Sequence, residues 1–221
     1  FEEHINKYTV IKLDLNGAAT DKGDMTIAQY YNQCVVSELM KEYPDVGLPD
    51  GIKLSKALTT IYEATGDMFV FIIDEYDLPI RDDKYSSELD DYISFLVSLF
   101  KSEETNYTIA LAYLTGIMPI IKEKTQSKLN NFKEYTMLNA KDMAPFMGFT
   151  EDEVKSLSTQ SGMEFDELKK WYDGYDLEGL EIYSPKSVIS AIEDHECSDY
   201  WVETSSYEAL KDYILMDFNG I

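Results

Sequence analysis

Short apolar runs, each ending at a polar residue, constrain this chain more than any other feature. MFVFII at 68–73 is the strongest of them. It is too short for a stable helix, it is rich in β-formers, and Gly66-Asp67 bounds it on the N-terminal side. Asp74, Glu75 and Asp77 follow directly, then Pro79. A run that is apolar at every position reads as a central strand covered on both faces, as in a parallel sheet. YTVIKLDL at 8–15 reads as a second buried strand, closing in a turn at Asn16-Gly17. TIALAYLTG at 108–116 is a third, ending in Thr115-Gly116, and FKEYTML at 132–138 is a weaker fourth candidate.

Helical periods fill the spaces between these runs. Ile27, Tyr31, Cys34, Val35 and Leu39 fall on one helical face within 26–43, and Pro44 stops it. Leu54, Ala57, Leu58 and Ile61 mark a second helix closed by Gly66; Leu89, Tyr92, Ile93, Leu96 and Phe100 mark a third. Strand, helix, strand, helix, strand is the α/β pattern, with parallel strands joined by right-handed crossovers. Ligands of such sheets collect at the carboxyl ends of the strands, where Asp74, Glu75 and Thr115 fall.

The texture changes near residue 140. Thr150 and Glu153 form a T-x-x-E capping box, and a short helix over 164–173 leads into WYDGY at 171–175. Ser184-Pro185 opens another helix, and a last one is expected from about Ser206 to Met216. The chain therefore reads as an α/β core over 1–139 and a helical subdomain over 140–221.

Apolar residues running into Asp74-Glu75 are the pattern of a Walker B strand. A magnesium ion on nucleotide phosphates takes hard oxygen ligands and keeps several waters. An aspartate at the end of a rigid strand can hold one of those waters, and a glutamate beside it can orient or deprotonate the attacking water. The rival reading is that the pair only marks where a buried strand meets solvent. Thr115 at the end of the next strand, with βαβ surroundings on both sides, favours the nucleotide site.

DEYDLPI, LAYLTGIMPI, KLNNFKEYTML, MGFTEDEV, KKWYDGYDLEGLEIYSPKSV and YWVETSSYEALKDYI, in this order, resemble the bacterial AAA-ATPase-like family over nearly the whole chain. Members of that family often carry a C-terminal PD-(D/E)XK nuclease domain. The resemblance implies a P-loop NTPase-like parallel sheet with a helical lid over 140–221, with ATP and Mg2+ as ligands. It makes Asp74 the magnesium-site carboxylate, Glu75 the general base and Thr115 the sensor of the γ-phosphate. Asp77 and Pro79 match the family's D-E-Y-D-x-P signature, and whether Asp77 orients Glu75 or a lysine stays open. The chain departs from the family in two places. No stretch of the 221 residues matches G-x-x-x-x-G-K-[ST], so the Walker A strand and loop are missing. The arginine that many members place after L-T-G is replaced by Met118-Pro119, which leaves Lys122 as the nearest cation for a phosphate.

These departures frame the functional expectation. Backbone N–H groups, a lysine and a hydroxyl of the phosphate loop supply most of the phosphate binding. A chain beginning at Phe1, with apolar patterning from Tyr8, reads as a piece cut before that loop, one that binds ATP weakly or not at all. The alternative is a degenerate, non-hydrolysing scaffold that works through protein contacts. Composition removes other classes. The net charge of −23 opposes a broad nucleic-acid surface, and Arg81 is the sole arginine. The Asp74-Glu75 pair also lacks the E-x-K spacing of a nuclease. No apolar run approaches the ~20 residues of a membrane span and no signal peptide is visible. Cys34 and Cys197 lack metal-ligand spacing and read as buried thiols of a reducing cytosol; His4 and His195 are isolated. Trp171, Tyr172, Tyr175, Tyr200 and Trp201 read as packing aromatics rather than a base-stacking surface, since Asp173, Asp176, Asp199 and Glu203 surround them.

Overall fold

The computed structural model describes residues 2–117, 129 and 131–200, and these fall in two compact units, Phe1–Lys133 and Glu134–Ile221.

The first unit is built on three parallel strands in the order β1 (Thr9–Asp14), β2 (Phe69–Asp74) and β3 (Ile109–Leu114). The apolar runs form these strands because their β-branched and aromatic side chains suit a pleated, packed surface. Between β1 and β2 come α1 (Leu15–Asp21), α2 (Ile27–Glu42) and α3 (Leu54–Thr65); α4 (Leu78–Arg81) and α5 (Leu89–Phe100) separate β2 from β3. Local chemistry sets the helix ends. Thr26 and Gln29 close a reciprocal capping box on α2. The Asn32 side chain accepts the Leu54 N–H at 2.7 Å and so holds the start of α3, while Gly66 ends that helix at φ +80°, where a residue with a Cβ is strained. Asn16-Gly17, expected as a turn, lies instead in the first turn of α1, because Asp14 caps that helix through the Asn16 N–H at 3.0 Å.

The core lies on one side of the sheet. Ile11, Leu13, Phe69, Phe71 and Ile73 pack in one cluster with Tyr31, Val35, Leu58, Ile61, Tyr92 and Leu96 of the helices. Glu88, just before α5, takes Lys22 at 2.7 Å and the Ile27 N–H at 3.0 Å, tying α5 to the start of α2.

The other side differs from expectation. Register places Val10 beside Val70 and Leu111, and Lys12 beside Ile72 and Tyr113. Val70 and Ile72 are only half-buried, and Val10, Leu111 and Tyr113 are exposed. β2 is therefore central but fully covered on one face only, and β3 is an edge strand rather than a buried one. The reason is topological: the helices of this unit join the cluster on one face, and among the described residues no strand pairs with the outer edge of β3. The candidate strand at 132–138 forms a tight turn with a single Thr136–Asn139 bridge.

The second unit holds α6 (Glu151–Ser161), α7 (Phe165–Tyr172) and α8 (Pro185–Asp194). Thr150–Glu153 caps α6 as the sequence indicates, and Ser184 with Pro185 opens α8. The unit also contains an antiparallel sheet, β4 (Phe149–Thr150), β6 (Leu180–Tyr183) and β5 (Asp173–Leu177) in that order, which helical periodicity does not announce. Most of WYDGY belongs to β5. The helix expected over 206–216 lies outside the described residues.

Candidate functional site at the carboxyl ends of the parallel strands

Parallel pairing carries the sequence-predicted residues to one edge of the sheet. β1 and β2 end in register, Asp14 beside Asp74. Backbone pairing of β2 with the β3 side continues past the last strand residues: the Thr115 N–H donates to the Ile73 carbonyl at 2.9 Å and the Tyr76 N–H to the Thr115 carbonyl at 3.0 Å. Thr115 is thereby clamped to the end of β2, and its hydroxyl donates to Asp74 Oδ1 at 2.6 Å. Asp74 Oδ1 also accepts the Glu75 N–H at 3.1 Å. The structure brings Asp74, Glu75 and Thr115 together. Lys122 lies outside the described residues.

The chain reverses at Glu75, which sits at φ +56°, a left-handed backbone costing about 1–2 kcal/mol for a residue with a Cβ. Surrounding bonds hold this turn. Leu78 N–H reaches the Glu75 carbonyl at 2.9 Å, and the buried Tyr92 hydroxyl of α5 donates to the Tyr76 carbonyl at 2.8 Å. Burial pushes the Tyr92 phenol well above its ordinary range, so it remains a neutral donor.

Asp77 and Arg81 form the base of the site. Asp77 is fully buried, accepts the Ile117 N–H at 3.2 Å, and faces Arg81 Nη1 at 3.3 Å from one oxygen and 3.4 Å from the other. Arg81 Nη2 lies 2.5 Å from Glu75 Oε2. Arg81, the sole arginine of the sequence, turns toward Asp77 and Glu75. Arg81 thus links Asp77 to Glu75. The signal available in sequence is the i,i+4 spacing of Asp77 and Arg81 across Pro79. Asp14, missed as a site residue, is found only through strand register.

Among the described residues no group of three or more His, Cys, Asp or Glu is arranged to hold a metal ion. A protein-only metal cage is therefore not built there. The donor set of one exposed strand-end carboxylate beside a hydroxyl fits magnesium held chiefly by phosphate and water.

A mixed α/β unit with a parallel sheet and carboxylates at the strand ends is compatible with a P-loop-like nucleotide-binding fold. The family described as "Predicted AAA-ATPase" matches residues 1–126, and the chain belongs to that family. Membership makes a nucleotide the expected ligand. The chain is also 26% identical over 168 residues to an "Uncharacterized protein in vnfD 5'region" of Azotobacter chroococcum mcd 1, covering 73% of this chain and 32% of that protein. The chain thus spans about a third of the length of this relative. No solved structure matches. Among the described residues no helix is long and apolar enough to cross a membrane.

Proposed function

We propose that this chain carries the Walker B half of a Mg-ATP site. Asp74 holds a water of the magnesium shell, Glu75 orients and deprotonates the attacking water, and Thr115 senses the γ-phosphate. The observation that carries the reading is the 2.6 Å bond from the Thr115 hydroxyl to Asp74 Oδ1 at the ends of adjacent parallel strands. It puts the groups expected to meet phosphate and metal on one rigid edge. Lys122 is the cation assigned to phosphate. The phosphate loop itself belongs to a segment outside these 221 residues, with its strand seated along the outer edge of β3. The edge of β3, unpaired among the described residues, and the exposed Leu111 and Tyr113 support that placement.

A second reading is a non-hydrolysing scaffold. It is favoured by one observation, the engagement of Glu75 by Arg81. Two measurements separate the readings. In a natural chain that contains a strand–G-K-[ST]–helix segment, Glu75→Gln is expected to lower Mg-ATP turnover by ~10²-fold or more, as for loss of a general base. Unchanged turnover in that variant sinks the enzyme reading. Calorimetry on the 221-residue chain is expected to show no micromolar Mg-ATP binding; such binding would remove the need for an external phosphate loop.

A further inference from the structure

We propose that Arg81 is a latch on Glu75: a positioning residue that holds the general base out of service until nucleotide and metal occupy the site. The proposal rests on the ATPase reading above and names the regulation of that site.

The geometry is that of a loaded fork. One guanidinium nitrogen of Arg81 faces both oxygens of Asp77, and the other faces Glu75 Oε2. The side chains of Arg81 and Glu75 are 20% and 28% exposed, and that of Asp77 is wholly buried. A pair so sheltered is screened less than a surface pair, and the planar fork fixes direction as well as charge. Glu75 therefore rests with one carboxylate oxygen committed to a cation. In that state it is a poor acceptor for the proton of an attacking water.

The other end of the fork reaches the metal side. Asp77 also accepts the Ile117 N–H, and Ile117 lies two residues beyond Thr115, whose hydroxyl holds Asp74. Gly116, between them, abuts Asp77 so closely that an added Cβ would lie 2.5 Å from Oδ1. Thr115–Ile117 is thus a short rod joining Asp74 to Asp77. Metal and nucleotide bound at Asp74 and Thr115 would bear on this rod, and through Ile117 and Asp77 on Arg81 and Glu75. The bistable element is the Arg81 fork, and metal with nucleotide biases it.

The test uses a natural chain that contains the phosphate-loop segment. Steady-state Mg-ATP hydrolysis and fluorescent-nucleotide binding are measured for wild type, Arg81→Gln, Arg81→Lys, and each with Glu75→Gln. Arg81→Gln is expected to raise kcat roughly fivefold (about 1 kcal/mol) and to tighten nucleotide Kd, because a ligand that biases the fork binds better once the latch is gone. Arg81→Lys keeps a cation beside Asp77, which protects folding, but cannot span both carboxylates. It is expected to give a smaller rise of the same sign, and it decides the matter if Arg81→Gln fails to fold. Neither rise survives Glu75→Gln. Turnover that is unchanged or lower in the Arg81 variants, while Glu75→Gln still abolishes it, overturns the latch and leaves the ATPase reading standing. Absence of both binding and turnover in every form, wild type included, overturns the two together.

Discussion

A Cβ built at Gly116 would lie 2.5 Å from Asp77 Oδ1 and 2.9 Å from Tyr76 Cε1. Neither neighbour can give way cheaply, since Asp77 is fully buried and bonded on two sides and Tyr76 is buried. Gly116→Ala is expected to lower stability by about 1–3 kcal/mol, the usual cost of overpacking, read as a shift of the urea midpoint. Asp77→Asn tests the same point from the other partner. Asparagine can still accept the Ile117 N–H, but it removes the charge facing Arg81. A loss of about 1.5–3 kcal/mol is expected, as for a hydrogen bond to a charged group; a variant as stable as wild type would falsify the structural weight given to Asp77. The meeting of Asp74 and Thr115 is legible in sequence because each closes an apolar run that forms a neighbouring parallel strand. The Asp77–Arg81–Glu75 fork stays hidden in sequence. It depends on which way Arg81 turns, and that is decided by burial of Asp77 and by the left-handed turn at Glu75.

At the scale of elements, the strands at 9–14, 69–74 and 109–114 and the helices around them are legible because apolar period and end signals agree. The bulk of the second unit is less so. β5 follows α7 without a break, and its residues are mostly exposed, so no alternation marks it. Val154, Leu168, Tyr183 and Val188 pack α6, α7, β6 and α8 into one apolar cluster, and a charge cluster joins three of these elements again at the surface. Lys169 of α7 contacts Glu181 of β6 and lies 2.9 Å from Glu151 at the start of α6, which also pairs with Lys155. A hydrogen bond with Glu181, followed by those from Lys155 and Lys169, holds the Glu151 carboxyl down at about 2, below its ordinary value of 4.5. The sign follows from linkage: a carboxyl depressed in the folded state adds stability above about 4.5 that is lost as pH falls toward about 2. Acid titration of wild type should therefore destabilise the chain across that window. Glu151→Gln should flatten the pH dependence there, measured as thermal midpoint against pH. A slope identical to wild type would show that the cluster contributes nothing to acid sensitivity.

For the whole molecule, two opposing effects decide how salt acts. The excess of 23 negative charges repels itself over distances comparable to the Debye length, ~30 Å at 0.01 M and ~8 Å at 0.15 M salt. Screening this repulsion stabilises the fold. The same screening weakens the ion pairs at Arg81, Lys22 and Lys169, each a local interaction. Exposed pairs are worth about 0–1 kcal/mol apiece, and the sheltered pair at Arg81 is screened least. Repulsion among so many like charges outweighs these few pairs, so the thermal midpoint should rise as NaCl is raised across that range. Charge also keeps separate copies apart, and that matters because Val10, Leu111 and Tyr113 expose apolar side chains on the sheet face beside the edge of β3, which no strand among the described residues pairs. Added salt should therefore promote self-association as it raises the midpoint, with sedimentation velocity reading the first and calorimetry the second. Leu111→Lys separates them. It replaces an exposed side chain, so stability should stay within about 0.5 kcal/mol, while a charge on the open face suppresses association. If association persists unchanged in that variant, the open sheet face is not where copies meet.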